Sequence, residues 1–301
     1  NTSSLPTVVG ASAPVENLNS DRNLGLELEI SHRHKVGDFS YGLTGIVTIT
    51  RRQSLKAYGQ GPYGNSYDRW RNDNLTNRYQ GIQFGYESAG RYESWEDIWN
   101  YDIYKENDTL PGDYKYLDWN GDGEINGLDA HPYAYDQTPW MNYSLPFNCA
   151  WKGLDFSMLL QGSALGSYMY DEPLYSIWGS NGGGALEQFL DRWHPVGDYT
   201  DPFDQTLQWA SGHYAFTGHS PEKNSSFNRV STSYLRLKSI ELGYTIPKLP
   251  RSSFGLRVFV NAYNLLTLTG IKYVDPEHPD SDYGRMYPLN KTVSLGMNLS
   301  F

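Results

Sequence analysis

Seven segments of this chain alternate apolar and polar residues with a period of two, and that alternation limits the fold more than any other feature. Leu24, Leu26, Leu28 and Ile30 share one face, opposite Gly25, Glu27, Glu29 and Ser31. After the turn Val36-Gly37-Asp38, Phe39, Tyr41, Leu43, Gly45, Val47 and Ile49 repeat the pattern. Met141, Tyr143, Leu145, Phe147, Cys149 and Trp151 form a third set, and Leu154, Phe156, Met158 and Leu160 a fourth. The fifth slips phase: Leu235 and Leu237 lie on one parity, Ile240, Leu242, Tyr244 and Ile246 on the other. A β-bulge near Lys238-Ser239 would return both sets to one face. Phe254, Leu256, Val258 and Val260 make the sixth, and Val293, Leu295, Met297, Leu299 and Phe301 the seventh. Pro146 counts against the third strand, because it removes a ladder donor. No segment reads as a long amphipathic helix.

The connections narrow the architecture. Those at 36–38, 152–153 and 247–253 are short, while those at 52–139, 167–232 and 270–290 are long. Short and long alternate strictly, so every long loop falls at one end of an antiparallel sheet. Short turns at one rim and long loops at the other are the asymmetry of an outer-membrane barrel. Strands of about 9–11 residues also suit a tilted membrane crossing. A soluble sandwich would alternate in the same way with its apolar face turned inward, and it stays open as an alternative. Parity places Tyr79 to Glu87 in an outer loop, and runs the last strand inward to end at the inner rim on Phe301. Seven strands do not close a bacterial barrel, and an open edge in lipid leaves backbone groups unsatisfied. The expectation is an all-β chain that forms the C-terminal strands of a large antiparallel transmembrane β-barrel with long extracellular loops.

Composition removes other classes. Hydrophobic residues make up only 39%, too few for a helical membrane protein, yet aromatic residues reach 15%, too many for a disordered chain. No apolar run approaches the roughly 18 residues of a spanning helix. A formal charge of −10 disfavours a nucleic-acid partner. Cys149 is the lone cysteine, so an intrachain disulfide and a cysteine zinc cage are both excluded. The chain opens Asn-Thr-Ser-Ser with neither Met nor a signal region, and is expected to be a processed product or a fragment.

Several motifs, in order over residues 20–301, resemble the C-terminal portion of the SusC/RagA-like TonB-dependent transporters of the Bacteroidetes outer membrane. They are RNLGLELEI (22–30), GDYKYLDWNGDGEINGLD (112–129), WKGLDFSMLLQG (151–162), RWHP (192–195), SYLRLKSIELGYTIP (233–247), VNAYNLLTLT (260–269) and YPLNKTVSLGMNLSF (287–301). The resemblance implies that residues 1–301 are the C-terminal part of such a barrel, with the plug and earlier strands outside this chain. It implies a site in the bacterial outer membrane in contact with its lipid. It also implies a SusD-like surface lipoprotein as a cap, TonB acting through the N-terminal part, and import of an oligosaccharide or peptide without chemistry. The terminal Phe301 resembles the signal read by the barrel-insertion machinery.

The sharpest local pattern is Asp118-Trp-Asn120-Gly-Asp122-Gly123-Glu124-Ile125-Asn126-Gly-Leu-Asp129. It matches a calcium loop with oxygens at positions 1, 3 and 5, Gly at 6, a carbonyl at 7 and a carboxylate at 12. Asp118, Asn120, Asp122, Glu124 and Asp129 are thus expected to hold a structural Ca2+ in an outer loop. Position 12 is Asp rather than Glu and no flanking helices are evident, so an Asn-Gly/Asp-Gly turn remains the plainer alternative. Aromatic residues crowd the outer loops. Tyr168, Tyr170, Trp178, Trp193 and Trp209 are candidates for contact with substrate or lid, as are Tyr175, Tyr199 and Tyr214; loop packing is the alternative. Tyr41, Tyr143, Trp151 and Tyr244 suit an interfacial aromatic girdle. Glu27, Glu29, Asp155, Glu241 and Arg257 are expected to face the lumen, and His32 and His34 the interface. No hydrolase or nucleotide-binding motif occurs, so an enzyme is not expected. A secreted, calcium-stabilised carbohydrate-binding sandwich is the second reading and a soluble glycosidase the third.

Overall fold

The computed structural model describes residues 17–58, 76–101, 108–176, 186–216, 221, 224–247, 254–279 and 289–301. Seven long strands form one sheet: β1 (Ser20–Val36), β2 (Phe39–Lys56), β3 (Met141–Trp151), β4 (Leu154–Ala164), β5 (Tyr234–Ile246), β6 (Gly255–Thr269) and β7 (Thr292–Ser300). Each pairs antiparallel with its neighbour in chain order, and the two-residue strand Arg78–Tyr79 joins the outer end of β2. All seven expected strands are present. β1 and β2 run to 17 and 18 residues, longer than a membrane crossing needs, because their outer halves continue into the loop region.

Local chemistry accounts for the register. Gly37 (φ +59°) begins the two-residue turn between β1 and β2, and Lys152 and Gly153 both take positive φ, as a type I′ hairpin requires. The pairing of β5 with both neighbours shifts between Leu237 and Ser239. That bulge puts Leu237, beside Leu160, on the same face as Ile240, beside Met158. Pro146 lies inside β3 and keeps its place opposite Leu159 of β4. On the other side, the β2–β3 ladder is interrupted between Leu43↔Phe147 and Ile46↔Ser144. The missing proline N–H faces β2, so the strand survives at the cost of a gap in one ladder.

The sheet is inverted relative to a soluble protein. Its apolar face is bare, with Leu26 68% and Leu295 80% exposed. Its polar face is closed over in the middle of the sheet, where the Arg236 side chain is only 2% exposed, and open on β1. No second sheet covers the apolar face among the described residues, which removes the sandwich arrangement. A bare apolar band of this extent marks a surface that meets lipid or another protein. Phe39, Tyr41, Trp151, Tyr244 and Phe254 gather on it near the short turns, with the Phe254 and Phe301 rings 6.2 Å apart. His32 and His34 belong to the same face and lie against Tyr41. Tyr143 sits towards the opposite rim. Its ring fills the space above Gly162, where a Cβ would come within 2.4 Å, and its hydroxyl donates to the Tyr234 carbonyl at 2.7 Å.

The apolar core lies elsewhere, in the long connections. Tyr92, Ile98, Tyr116, Phe189, Trp193 and Phe216 are buried there. Short ribbons tie these loops together: Gln83–Gly85 with His131–Ala134, Ser88–Arg91 with Tyr114–Tyr116, and Ser167–Met169 with Arg229–Ser231. Tyr79 to Glu87 is therefore part of the loop body and does not span the wall.

Candidate functional site

Three arrangements stand out, two in the outer loops and one on the wall, beginning with the acidic run at 117–130. Two of the short ribbons hold it, since it leaves Tyr114–Tyr116 and re-enters at His131–Ala134. Asp118 accepts from the amides of Gly121 (2.7 Å) and Gly123 (2.9 Å), while Asn120 accepts from Asp122 and Asp122 from Glu124, each at 2.9 Å. The amide of Gly123, above all, holds the Asp118 carboxyl below the usual carboxylate range. Gly121 (φ +70°) and Gly123 (φ +86°) supply the backbone that this turn demands. Ile125 is buried, as its position in the pattern suggests.

Asp129 is wholly buried, and both its oxygens receive amides, from Trp119 (2.9 Å), Asn120 (3.3 Å) and Asn126 (2.7 Å). It thus clamps the two ends of the loop. Beside it, His131 stacks on Trp119 at 3.7 Å and links the Asp129 carbonyl to the Glu87 carboxylate. Among the described residues no three His, Cys, Asp or Glu side chains form a metal-holding group. Asp118, Asn120 and Asp122 share one turn, and the fifth expected ligand, Asp129, lies against Asp118 at its base while accepting the amides of Trp119 and Asn120.

The aromatic candidates divide into packing residues and cleft residues. Trp193 is buried against Gly112, whose Cβ would come within 2.2 Å of its ring; the motifs RWHP and GDYKY are therefore in direct contact. Tyr168 is buried and donates to Asp171 at 2.8 Å, and the Trp209 ring meets Phe216 at 5.5 Å. Tyr199 also packs on Phe216. Trp178 lies outside the described residues. Tyr170, Tyr175 and Tyr214 instead line a cavity of about 570 Å³, with Tyr273, Phe227, Glu187, Asp191, His213 and Lys272. The Tyr170 hydroxyl donates to the Lys272 carbonyl at 2.9 Å, and the Gln188 amide donates to the Tyr214 hydroxyl at 3.0 Å. Burial depresses the His213 pKa, aided by the Arg91 charge, and burial raises that of Tyr214.

The third arrangement lies on the polar face of the wall. Arg257 joins Asp155 and Glu241, with Glu241 at 2.7 Å, and Asn261 adds a long bond to Glu241. The two carboxylates share one guanidinium, which suits a structural ion cluster on the wall rather than an acid–base pair. Glu27 and Glu29 remain exposed on β1, apart from this cluster. Sequence reasoning did not find the second cluster, Arg236 with Asp275 (2.7 Å) and Glu277 (2.5 Å), and Lys238 with Glu277 (2.9 Å). It fastens the start of the last long loop to the inner side of β5. Two basic residues on a polar strand face and an Asp-Pro-Glu in the following loop were the available signal.

A sheet of this kind, with an exposed apolar face, short turns at one rim and packed loops at the other, defines part of a transmembrane β-barrel. No family model matches the chain. A TonB-dependent receptor P3 from Formosa agariphila is 24% identical across 99% of this chain and 30% of its own length. The RagAB peptide importer in its open-open state matches with a TM-score of 0.62 at 19% identity, and the RagAB peptide transporter with 0.64 at 18%. Both alignments cover 99% of this chain and 30% or 31% of the solved one. The chain therefore has the fold of the C-terminal part of TonB-dependent transporter barrels, and its similarity to the SusC/RagA-like transporters extends along its length. It spans less than a third of the relatives it matches, and those relatives are a receptor and importers, not enzymes.

Proposed function

We propose that this chain is the C-terminal wall and outer-loop body of an outer-membrane importer that takes up a large nutrient, an oligosaccharide or a peptide. The supporting observation is the inverted sheet, whose bare apolar face would meet lipid while its polar face lines a lumen. The plug and earlier strands would complete the barrel, TonB would supply energy through them, and a SusD-like lipoprotein would cap the loops. The exposed Leu190, Val196, Tyr199 and Phe203 offer that cap an apolar footing. The test is to fractionate cells and follow uptake. Recovery of the full-length protein in the soluble fraction, or uptake unchanged after its deletion, would defeat this reading.

A calcium ion in the 117–130 loop is part of the same proposal, with a structural role. Its support is the register of Asp118, Asn120, Asp122, the Glu124 carbonyl and the Asp129 carboxylate, the last lying against Asp118. Calcium-dependent protection of this loop from protease, lost in Asp122→Ala, is the expected result. Protection that ignores both chelator and the substitution would leave a plain turn.

A further inference from the structure

We propose that the outer end of the β1–β2 hairpin carries, on its apolar face, a two-arginine clamp for the phosphate of an outer-leaflet lipid. The proposal goes beyond uptake, and rests on the importer reading in taking that face as the one that meets lipid.

Parity sorts the three arginines at this end of the wall. Arg52 shares the polar face with Asp21, which binds it at 2.7 Å. Arg22 and Arg51 belong to the other face, in line with Leu24, Leu26, Val47 and Ile49. Arg51 lies opposite Leu24 and Arg22 opposite Gln53, so the two arginines are diagonal neighbours, with backbones roughly 7–8 Å apart. Two cations at that spacing repel, yet no carboxylate pairs with either among the described residues. Asp21 is taken up by Arg52 and Gln80, and Asp136 accepts the Gln137 amide.

Both guanidiniums are held by neutral groups instead. Arg51 is stacked between the rings of Tyr79 and Trp140, its Cζ 3.8 Å from each centroid. Its Nε is buried there without a hydrogen-bond partner. The Arg22 Nε donates to the Gln53 side chain at 2.9 Å, and the Gln53 amide donates to the Asn77 carbonyl at 3.0 Å. Each side chain is thus fixed by its plane or its Nε, while its terminal N–H groups have no acceptor among the described residues. A preset planar fork matches the oxygens of a phosphate.

Depth decides what that phosphate is attached to. Ten residues of β2 separate Arg51 from Tyr41 of the inner aromatic group. At about 3.3 Å per residue and a tilt of about 40°, they span about 25 Å along the membrane normal, the height of a barrel's apolar band. Arg22 and Arg51 therefore stand at the outer headgroup level, with Tyr79 and Trp140 as the aromatic girdle there. Directly beneath them Leu24 and Ile49 are exposed. A soluble anion makes no use of such a surface. A lipid lays its chains on it and brings its phosphate to the cations.

The full-length transporter, purified in detergent and stripped of lipid, can be titrated with phosphorylated lipid A, with the same lipid dephosphorylated, and with inorganic phosphate. Native mass spectrometry counts the bound lipid. The unaltered protein should prefer the phosphorylated lipid by about tenfold, the worth of one charge-assisted hydrogen bond. Arg22→Gln combined with Arg51→Gln should abolish the preference, and each single substitution should remove part of it. Undiminished binding of the dephosphorylated lipid shows that the wall of the variant is intact. Arg52→Gln, on the polar face, should keep the full preference. Equal binding of the two lipids by the unaltered protein, a preference that survives the double substitution, or displacement of the lipid by equimolar inorganic phosphate would overturn the proposal. An outer-membrane importer that binds both lipids equally loses this inference alone, whereas a protein that binds neither and is recovered outside the membrane loses the underlying reading as well.

Discussion

At the scale of single residues, the loop body depends on close approaches that tolerate no added atom. Gly112 is the clearest case, with φ at +94° and the Trp193 ring against its Cα. Gly112→Ala adds both backbone strain and an overlap, and should destabilise the loop body by about 1–3 kcal/mol. Faster protease cleavage within the outer loops, with the strand signal in circular dichroism unchanged, would be its signature. Asp118 gives a pH prediction. Its folded pKa is lowered below the usual 3.8, so its contribution is complete above that value and is lost as pH falls through the lower folded one. The 117–130 loop should therefore hold its amide protection down to about pH 4 and lose it only in stronger acid. Hydrogen exchange on that loop across pH would check it. Neither residue's role was fully legible in sequence. The acidic spacing revealed a turn rich in oxygens, but only three dimensions show Asp129 receiving three amides. Trp193 read as a binding aromatic because its partner, Gly112, lies 81 positions away in the chain.

At the scale of elements, the strands were legible and the loops were not, for one physical reason. A strand with two different environments writes a period of two into its own sequence, so its face can be read locally. The bulge at Lys238 was visible as a change of parity for the same reason. The loop ribbons pair segments such as Ser167–Met169 and Arg229–Ser231, which leave no local rhythm. β7 carries the sharpest test of the wall. Val293, Leu295, Met297 and Leu299 are all more than half exposed on the apolar face. Leu295→Arg should cost about 2–4 kcal/mol if the residue sits near the bilayer midplane. Removal of Phe301 should lower outer-membrane yield without altering the fold of what assembles. Equal yields of both variants and the unaltered protein would place this face against something other than lipid.

At the scale of the whole molecule, the sheet has two edges, β1 and β7, each with one neighbour in this chain. Continuous strands on either side would satisfy both, and a membrane offers no water to do so. Within the sheet, the gap beside Pro146 has a mechanical meaning. Every other junction of the wall is zipped by an unbroken or merely shifted ladder, whereas the ladder of β2 and β3 skips Thr44 and Gly45 before it resumes at Ile46. That junction is the seam along which the wall should part first under strain. It would separate the hairpin 20–56 from the five strands that follow. Pro146→Ala would supply the absent donor and should stabilise the wall by about 0.5–1.5 kcal/mol. Single-molecule pulling should then find the first rupture of the unaltered protein at this seam and lose that early event in the variant. A barrel that opens at a fixed place unfolds by peeling off a hairpin rather than by dissolving strand by strand, and one imino acid in the wall sets where the peeling starts.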